Sequence, residues 1–376
     1  MITKIHSTTS TAAASIIETI EAVRQDKISF IVYFVSDKFD FEYVTKQVAL
    51  AFPNIPNMGC VSTGELYPTG GYIESSFTIS SIYNDDFKVK AILLTDLQNK
   101  VMLYKRKILS ALAEINVSSS DYRNLFIISL IDAFSGCEDR IGTMLRNVFE
   151  TTNINLVGGS AGNLSKGKDA YVAINGVVSD NACALLFVHT HKKILTCNEN
   201  IYKPIGDMYR VTKADFETRT IYEANNKPFV DLYCKHIGVP KSELSMLTFS
   251  KNPIGRFQGN KTYISSPLGA NPDGSMTFYS RVLTGRQFYF MESKPLLETS
   301  KETVDTINTV FKKVDLIIGF NCILRYMQIT DEKINQTMYT TMSTGTNAPY
   351  IGFTTLGEQI GIQHVNQTLT ILAIGD

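Results

Sequence analysis

The stretch Leu156–Asp169, reading Leu-Val-Gly-Gly-Ser-Ala-Gly-Asn-Leu-Ser-Lys-Gly-Lys-Asp, most narrows what this chain can fold into. It ends the apolar run Ile154–Val157 in glycines and small residues, the composition of a buried strand that stops in a loop whose backbone lies close against another group. Ala170–Ile174, Asn175-Gly176 and Val177-Val178 follow, and after Ser179–Asn181 comes the apolar run Ala182–Val188. Asn-Gly between apolar runs predicts a hairpin, because both central residues of a type I′ turn take positive φ. Gly158–Gly162 also spells a hydrolase nucleophile elbow, and Gly162–Lys168 spells most of a phosphate-binding P-loop. Each of those motifs delivers the chain into a helix whose amides hold an oxyanion or a phosphate. Here a hairpin is predicted instead, and Asp169 stands where a P-loop needs Ser or Thr for Mg²⁺. The pattern favours a binding or structural loop over a catalytic one.

The loop's setting is a mixed α/β chain of 376 residues, enough for two domains or two halves packed into one body. Thirty-six basic and thirty-six acidic residues cancel, and no Lys/Arg cluster appears along the chain, so neither nucleic acid nor an anionic membrane is an expected partner. No run is long and apolar enough to span a bilayer, and the start of the chain, with Lys4 and Ala12–Ala14, does not read as a secretory signal. Six scattered cysteines without paired spacing read as free thiols of a reducing compartment, so a cytoplasmic location is expected.

In chain order, Ser10 or Thr11 is placed to cap a helix with Ile16, Ile17, Ile20 and Val23 on one face. A strand at 29–35, an amphipathic helix at 37–52 and a strand into Gly59-Cys60-Val61-Ser62-Thr63-Gly64-Glu65 give a β-α-β alternation. Residues 76–82 and 87–94, around Asn84–Asp86, predict an antiparallel pair. A helix over 101–115, a strand over 125–131 and a helix from Glu138 to Phe149 lead back to the opening loop. Polar residues at His191-Lys192-Lys193 mark a boundary, which divides the chain into 1–192 and 193–376. The second part predicts strands at 209–212 and 220–223, a helix at 228–236 closed by Gly238, a turn-rich strand region, a helix at 299–312, a buried strand at 316–320, and an alternating strand at 362–374. Gly59–Glu65 and Gly352–Glu358 both read Gly-x-x-x-x-Gly-Glu after an apolar strand, which suggests two related halves.

Four stretches together, Gly59–Glu65, Val157–Asn163, Gly319–Arg325 and Gly352–Glu358, resemble the FIST (F-box and intracellular signal transduction) family, in the family's order and over nearly the whole chain. The resemblance implies N- and C-terminal FIST domains and a sensory module for small ligands, amino acids among them, with no catalytic turnover. Some family members resemble haem-containing nitric-oxide sensors that act on a separate histidine kinase. The resemblance therefore also implies haem as a candidate cofactor and a two-component partner.

For such a sensor, the strand-end loops nominate Ser62, Thr63, Gly64 and Glu65 and then Gly159, Ser160 and Asn163, whose amides and hydroxyls can fix a polar ligand. The same residue types also bond their own backbone in tight turns. Arg325 is placed to clamp a carboxylate and Glu65 or Glu358 to receive an amino group; an ion pair between Arg325 and one of those glutamates is the structural alternative. Among histidines, alternation puts His364 with Asn366 and Thr368 on the polar face of the last strand, the best position for a haem axial ligand. His189 and His191 share a strand face, and His236 sits at a helix end. A serine hydrolase would use Ser160 with His364 as base and Asp315 or Asp331 as acid, in the chain order Ser, Asp, His.

Overall fold

A computed structural model describes residues 1–67, 70–163, 170–258 and 261–376. Residues 164–169, which complete the P-loop-like letters, lie outside them. Three units with one topology follow each other along the chain. The first runs β1 (Ile2–Thr8), α1 (Ala13–Ala22), β2 (Phe30–Ser36), α2 (Phe41–Ala51), β3 (Asn57–Ser62), the hairpin β4 (Glu65–Tyr67) and β5 (Gly71–Ile73), and β6 (Phe77–Tyr83). The second runs β7 (Lys88–Leu94), α3 (Leu97–Lys100), α4 (Lys105–Glu114), β8 (Leu125–Asp132), α5 (Glu138–Phe149), β9 (Asn155–Ala161), the hairpin β10 (Val172–Ile174) and β11 (Val177–Ser179), and β12 (Cys183–His189).

The third unit opens with β13 (Lys193–Asn200) and then carries an inserted module. That module comprises β14 (Tyr202–Asp215), β15 (Thr220–Ala224), β16 (Lys227–Pro228), α6 (Phe229–Ile237), α7 (Met246–Lys251), β17 (Ile254–Gln258), β18 (Lys261–Ser265), β19 (Pro267–Ala270), β20 (Met276–Phe278) and β21 (Gln287–Ser293). The unit resumes with α8 (Leu296–Val310), β22 (Val314–Cys322), α9 (Ile323–Asp331), α10 (Asn335–Thr346), β23 (Tyr350–Thr355), the hairpin β24 (Glu358–Ile360) and β25 (Gln363–Val365), and β26 (Thr368–Gly375).

Each unit builds a sheet around one parallel pair, β2 with β3, β8 with β9 and β22 with β23, flanked by its last strand and then its first, both antiparallel. The hairpins do not stay home. β10–β11 adds to β3, β24–β25 adds to β9, and β4–β5 adds to β23, so each unit lends its hairpin to another and the exchange closes in a ring. The relation expected between two halves is thus a relation among three units.

The parallel pairs are buried on both faces, which is why Phe30–Ser36, Leu125–Asp132 and Val314–Cys322 are nearly continuous apolar runs. Their inner faces meet in one core from all three sheets, where Phe34 packs on Phe353 at 4.6 Å between centroids and Phe353 on Phe320 at 5.7 Å. Their outer faces are covered by helices. α5 presents Ile141, Met144, Leu145 and Val148 at helical spacing, with Glu138 and Asp139 at its positive end. Among the described residues no helix is long and apolar enough to cross a membrane.

Several expectations are corrected. The strands at 76–82 and 87–94 do not pair: β6 belongs to the first sheet and β7 to the second, and Asn84–Asp86 is the link between units. The helix over 101–115 is broken, with a 3₁₀ turn at Val101–Tyr104 between α3 and α4. Ala12 holds the N-cap position of α1, with Ser10 Oγ accepting from its amide instead of capping the helix. The last alternating strand is two strands, broken at Gln367, whose φ is +57°.

Candidate functional site

The three units put three equivalent loops at the ends of their second parallel strands. Register fixes the equivalence: Gly59 pairs with Tyr33, Gly158 with Ser129 and Gly352 with Gly319. A Cβ at these glycines would stand 2.1 Å from the Tyr33 ring, 2.1 Å from the Ser129 carbonyl oxygen and 1.9 Å from the Gly319 carbonyl oxygen. Close packing of the paired strand therefore accounts for the first glycine of each motif.

Beyond these glycines the loops are stitched to one another. Thr354 N–H donates to the Gly64 carbonyl at 2.7 Å, Ser160 N–H to the Gly357 carbonyl at 2.7 Å, and Thr63 Oγ1 to the Gly162 carbonyl at 3.1 Å. Gly159 is packed under Thr355 and Phe353, and Asn163 is buried. Glu65 is fully buried and accepts from the Ser62 and Ser76 hydroxyls and the Ser76 amide. Glu358 repeats this arrangement with Thr355 Oγ1 (2.7 Å), Thr368 Oγ1 (2.8 Å) and Thr368 N–H (3.1 Å). Burial pushes the Glu65 carboxyl up to about 7 and the Glu358 carboxyl up to about 8, against hydrogen bonds that pull the other way. The hydroxyls and carboxylates expected to face a ligand thus face each other.

Ser160 lies inside β9, not on a strand-to-helix turn. Gln359 Nε2 donates to its Oγ at 3.0 Å and the Oγ donates to Glu138 Oε1 at 3.3 Å. The acids expected for a triad are engaged elsewhere, Asp315 with Lys192 (2.7 Å) and Asp331 with Lys251 (2.8 Å). Arg325 is buried in α9 and pairs with neither Glu65 nor Glu358: its guanidinium bonds Glu199, which also accepts from Ser300 Oγ, and donates to Asn321 Oδ1 at 2.6 Å. The sequence hid this partner because Glu199 stands 126 residues away.

His364 pairs with Gln359 across the hairpin, and its buried Nε2 stands 2.2 Å from where a Cβ on Gly357 would be. No iron reaches that nitrogen without moving the loop, and the space beside the hairpin is walled largely by amides and hydroxyls. These residues do not fit haem. His189 is buried, His191 bonds Asp86, and His236 stacks on Phe290 at 3.9 Å, with burial holding His236 below its ordinary pKa and so uncharged at the helix end. Among the described residues no three His, Cys, Asp or Glu side chains gather to hold a metal.

Open space lies at the seams between units. A cleft of about 480 Å³ separates the second unit from the third, walled by Thr152–Ile154, the β24–β25 turn, Thr262 and Tyr263 of the inserted module, and Thr196, Asn198 and Asn200. Those last three share the face of β13 that begins with Ile194, and Asn198 Oδ1 is buried without a hydrogen-bond partner. Polar residues at period two along β13, the edge strand of its sheet, were the available sequence signal. The seam between the first and second units has a matching cleft of about 460 Å³, beside the β10–β11 turn at Asn175 and the Lys90–Glu114 ion pair. Asn57 Oδ1 there is likewise unpartnered.

The family model of the FIST N domain matches residues 29–227 and that of the FIST C domain matches residues 230–361. FIST domains are associated with sensing in signal transduction. No curated protein matches the chain. Among solved structures, a chorismatase is similar over 100% of this chain and 98% of its own at 8% identity and a TM-score of 0.39, a likeness that bears on neither fold nor activity.

Proposed function

The chain belongs to the FIST family, and from that premise we propose that it is a small-ligand sensor without catalytic turnover, holding its ligand in the cleft between the second and third units. The observation that carries this reading is the cleft of about 480 Å³ with Asn198, whose buried Oδ1 lacks a partner, in its wall. Its volume lies within the roughly 300–1,000 Å³ of small-molecule sites. Its amides and hydroxyls suit a small polar metabolite, with amino acids the first class to test. Four separate stretches of the chain form the walls, so occupancy would bias how the second unit, the third unit and the inserted module sit together, and a partner reads such a change. We assign that output to a separate protein such as a histidine kinase, in the cytoplasm. Nothing in the geometry around His364 favours a haem route.

The test is a thermal-shift screen of the full chain against amino acids and small polyols, repeated on Asn198→Leu. A compound at 100 times its Kd would stabilise the wild type by about 2.7 kcal/mol. The expected result is a hit that raises the wild-type Tm and leaves Asn198→Leu unmoved. Hits that act equally on both would remove the ligand from this cleft.

A further inference from the structure

The exchange of hairpins builds its seam cleft more than once. Between the first and second units a cleft of about 460 Å³ is walled by residues 54–57 ahead of and into β3, by residues 89–91 of β7, and by Asn175 in the β10–β11 turn. The same three pieces recur between the second and third units: the segment ahead of β9, the first strand of the next unit, and the turn of the hairpin that unit lends. Asn54 precedes Gly59 by five residues and Asn153 precedes Gly158 by five, so an asparagine in each wall is repeated too. The topology thus sets a second cleft in the equivalent place, and its own lining decides what it can hold.

Asn57 carries the argument. It is 2% exposed and lies in the cleft wall. Its Nδ2 donates to the Ile55 carbonyl at 3.0 Å, its N–H donates to Asn175 Oδ1 at 2.9 Å, and its carbonyl accepts from the Asn175 N–H at 3.1 Å. Its Oδ1 is left buried without a partner. Turning the amide over would set that oxygen against the Ile55 carbonyl, so Oδ1 stays an acceptor in need of a donor. A ligand O–H removes the penalty of leaving it unpaired. Among the described residues the charged side chains of the lining are Lys90 and Glu114, which are 35% and 53% exposed and paired with each other. An ionic ligand would therefore give up hydration without gaining a free counter-charge. Asn54 and Asn175 add amides to the wall, and Ile55, Pro56 and Ile115 add apolar surface. Such a lining suits a molecule with hydroxyls at its edges and C–H groups on its faces, and the volume lies within the roughly 300–1,000 Å³ of small-molecule sites. We propose that this seam is a second ligand site and that it takes an uncharged polyhydroxyl compound of monosaccharide size, one hydroxyl of which donates to Asn57 Oδ1. The site rests on its own lining and stands whether or not a metabolite occupies the cleft between the second and third units.

Polyols raise the Tm of proteins they do not bind, by exclusion from the surface, so binding is read directly. The full chain is titrated by calorimetry and saturation-transfer NMR with glucose, ribose and myo-inositol, and with glucuronate and glucosamine as charged counterparts of glucose. The same is done with Asn57→Leu, which removes the acceptor, and with Asn54→Gly, which suits the φ of +69° there and removes only an exposed amide; circular dichroism checks that each is folded. The expected result is saturable binding of at least one uncharged compound, weakened by about tenfold or more in Asn57→Leu and by about fivefold in Asn54→Gly. A chain that binds none of the uncharged compounds, or two variants that bind as well as wild type, would overturn the proposal. So would glucuronate or glucosamine binding more tightly than glucose, or binding that survives Asn57→Leu and is lost in Asn198→Leu, which would place the compound in the other cleft.

Discussion

Glu65 and Glu358 hold the same place in two of the three units. Each follows its loop glycine, pairs across the ring with another unit's second parallel strand, at Phe353 and Gly159 respectively, and is buried in a cage of two hydroxyls and one amide. In the remaining unit the register puts Val172 there, opposite Cys60. One position thus accepts either a fully hydrogen-bonded carboxyl or a plain apolar side chain, as expected where an unpaired polar group is the costly choice.

These carboxyls make stability fall as pH rises. An acid whose folded pKa lies above its unfolded value binds its proton more tightly when folded, so its contribution is complete below the ordinary 4.5 and is lost as pH rises through about 7 for Glu65 and about 8 for Glu358. The larger shift corresponds to several kcal/mol, since one pKa unit is about 1.4 kcal/mol. His189 and His236, both held below their ordinary 6.5, act in the opposite sense only at lower pH. Urea midpoints between about pH 6.5 and 9 should therefore decline, and Glu358→Gln should flatten part of that decline. A flat profile in the wild type would show that the carboxyls are ionised in the fold.

Arg325 and Glu199 are a second buried pair whose loss is asymmetric. Removing one partner strands a charge, at a cost of about 3–5 kcal/mol, whereas replacing both with apolar residues of similar volume is often close to neutral. Arg325→Met should lower the denaturation midpoint sharply, and Arg325→Met/Glu199→Leu should recover most of the loss. A double variant as damaged as the single one would place Arg325's role outside the pair.

Gly352 and Gly269 separate two kinds of glycine. At Gly352 φ is +156° and an added Cβ falls 1.9 Å from the Gly319 carbonyl oxygen, whereas at Gly269 nothing lies within 4 Å. Gly352→Ala should abolish soluble expression or lower Tm by many degrees, because backbone cannot retreat from a paired strand. Gly269→Ala should be within about 0.5 kcal/mol of wild type. Equal effects would mean that the parallel pair β22–β23 has slack.

The strands were legible in the sequence because their double burial demands unbroken apolar runs, and the Asn175-Gly176 turn because its φ requirement selects its residues. The third unit was harder to see. Its insertion of some ninety residues separates β13 from α8, and the second unit replaces the Gly-Glu of the loop motif with Tyr171-Val172, so only two copies of that motif survived to be compared. α9 escaped notice because its buried face carries Arg325 and Gln328, which break apolar periodicity while bonding Glu199 and Tyr202. The partners of Thr63, Ser160 and Arg325 were hidden for one reason: hydrogen bonds between segments far apart in the sequence leave no local pattern.

Ser160 offers the sharpest test between sensing and hydrolysis. Its hydroxyl is fully buried between Gln359 and Glu138, and its amide is committed to the Gly357 carbonyl, so it has neither an approaching substrate nor a free oxyanion donor. A fluorophosphonate should leave the chain unmodified by intact mass spectrometry. Ser160→Ala should cost about 1–3 kcal/mol of stability, because it removes the hydroxyl that donates to the buried Glu138 carboxyl and the nearer of two acceptors for the Gln359 amide, while leaving any ligand response in the thermal-shift screen intact. A covalent adduct formed by the wild type and lost in Ser160→Ala would make the chain an enzyme, and the hydrogen bonds around Ser160 would then describe a resting nucleophile.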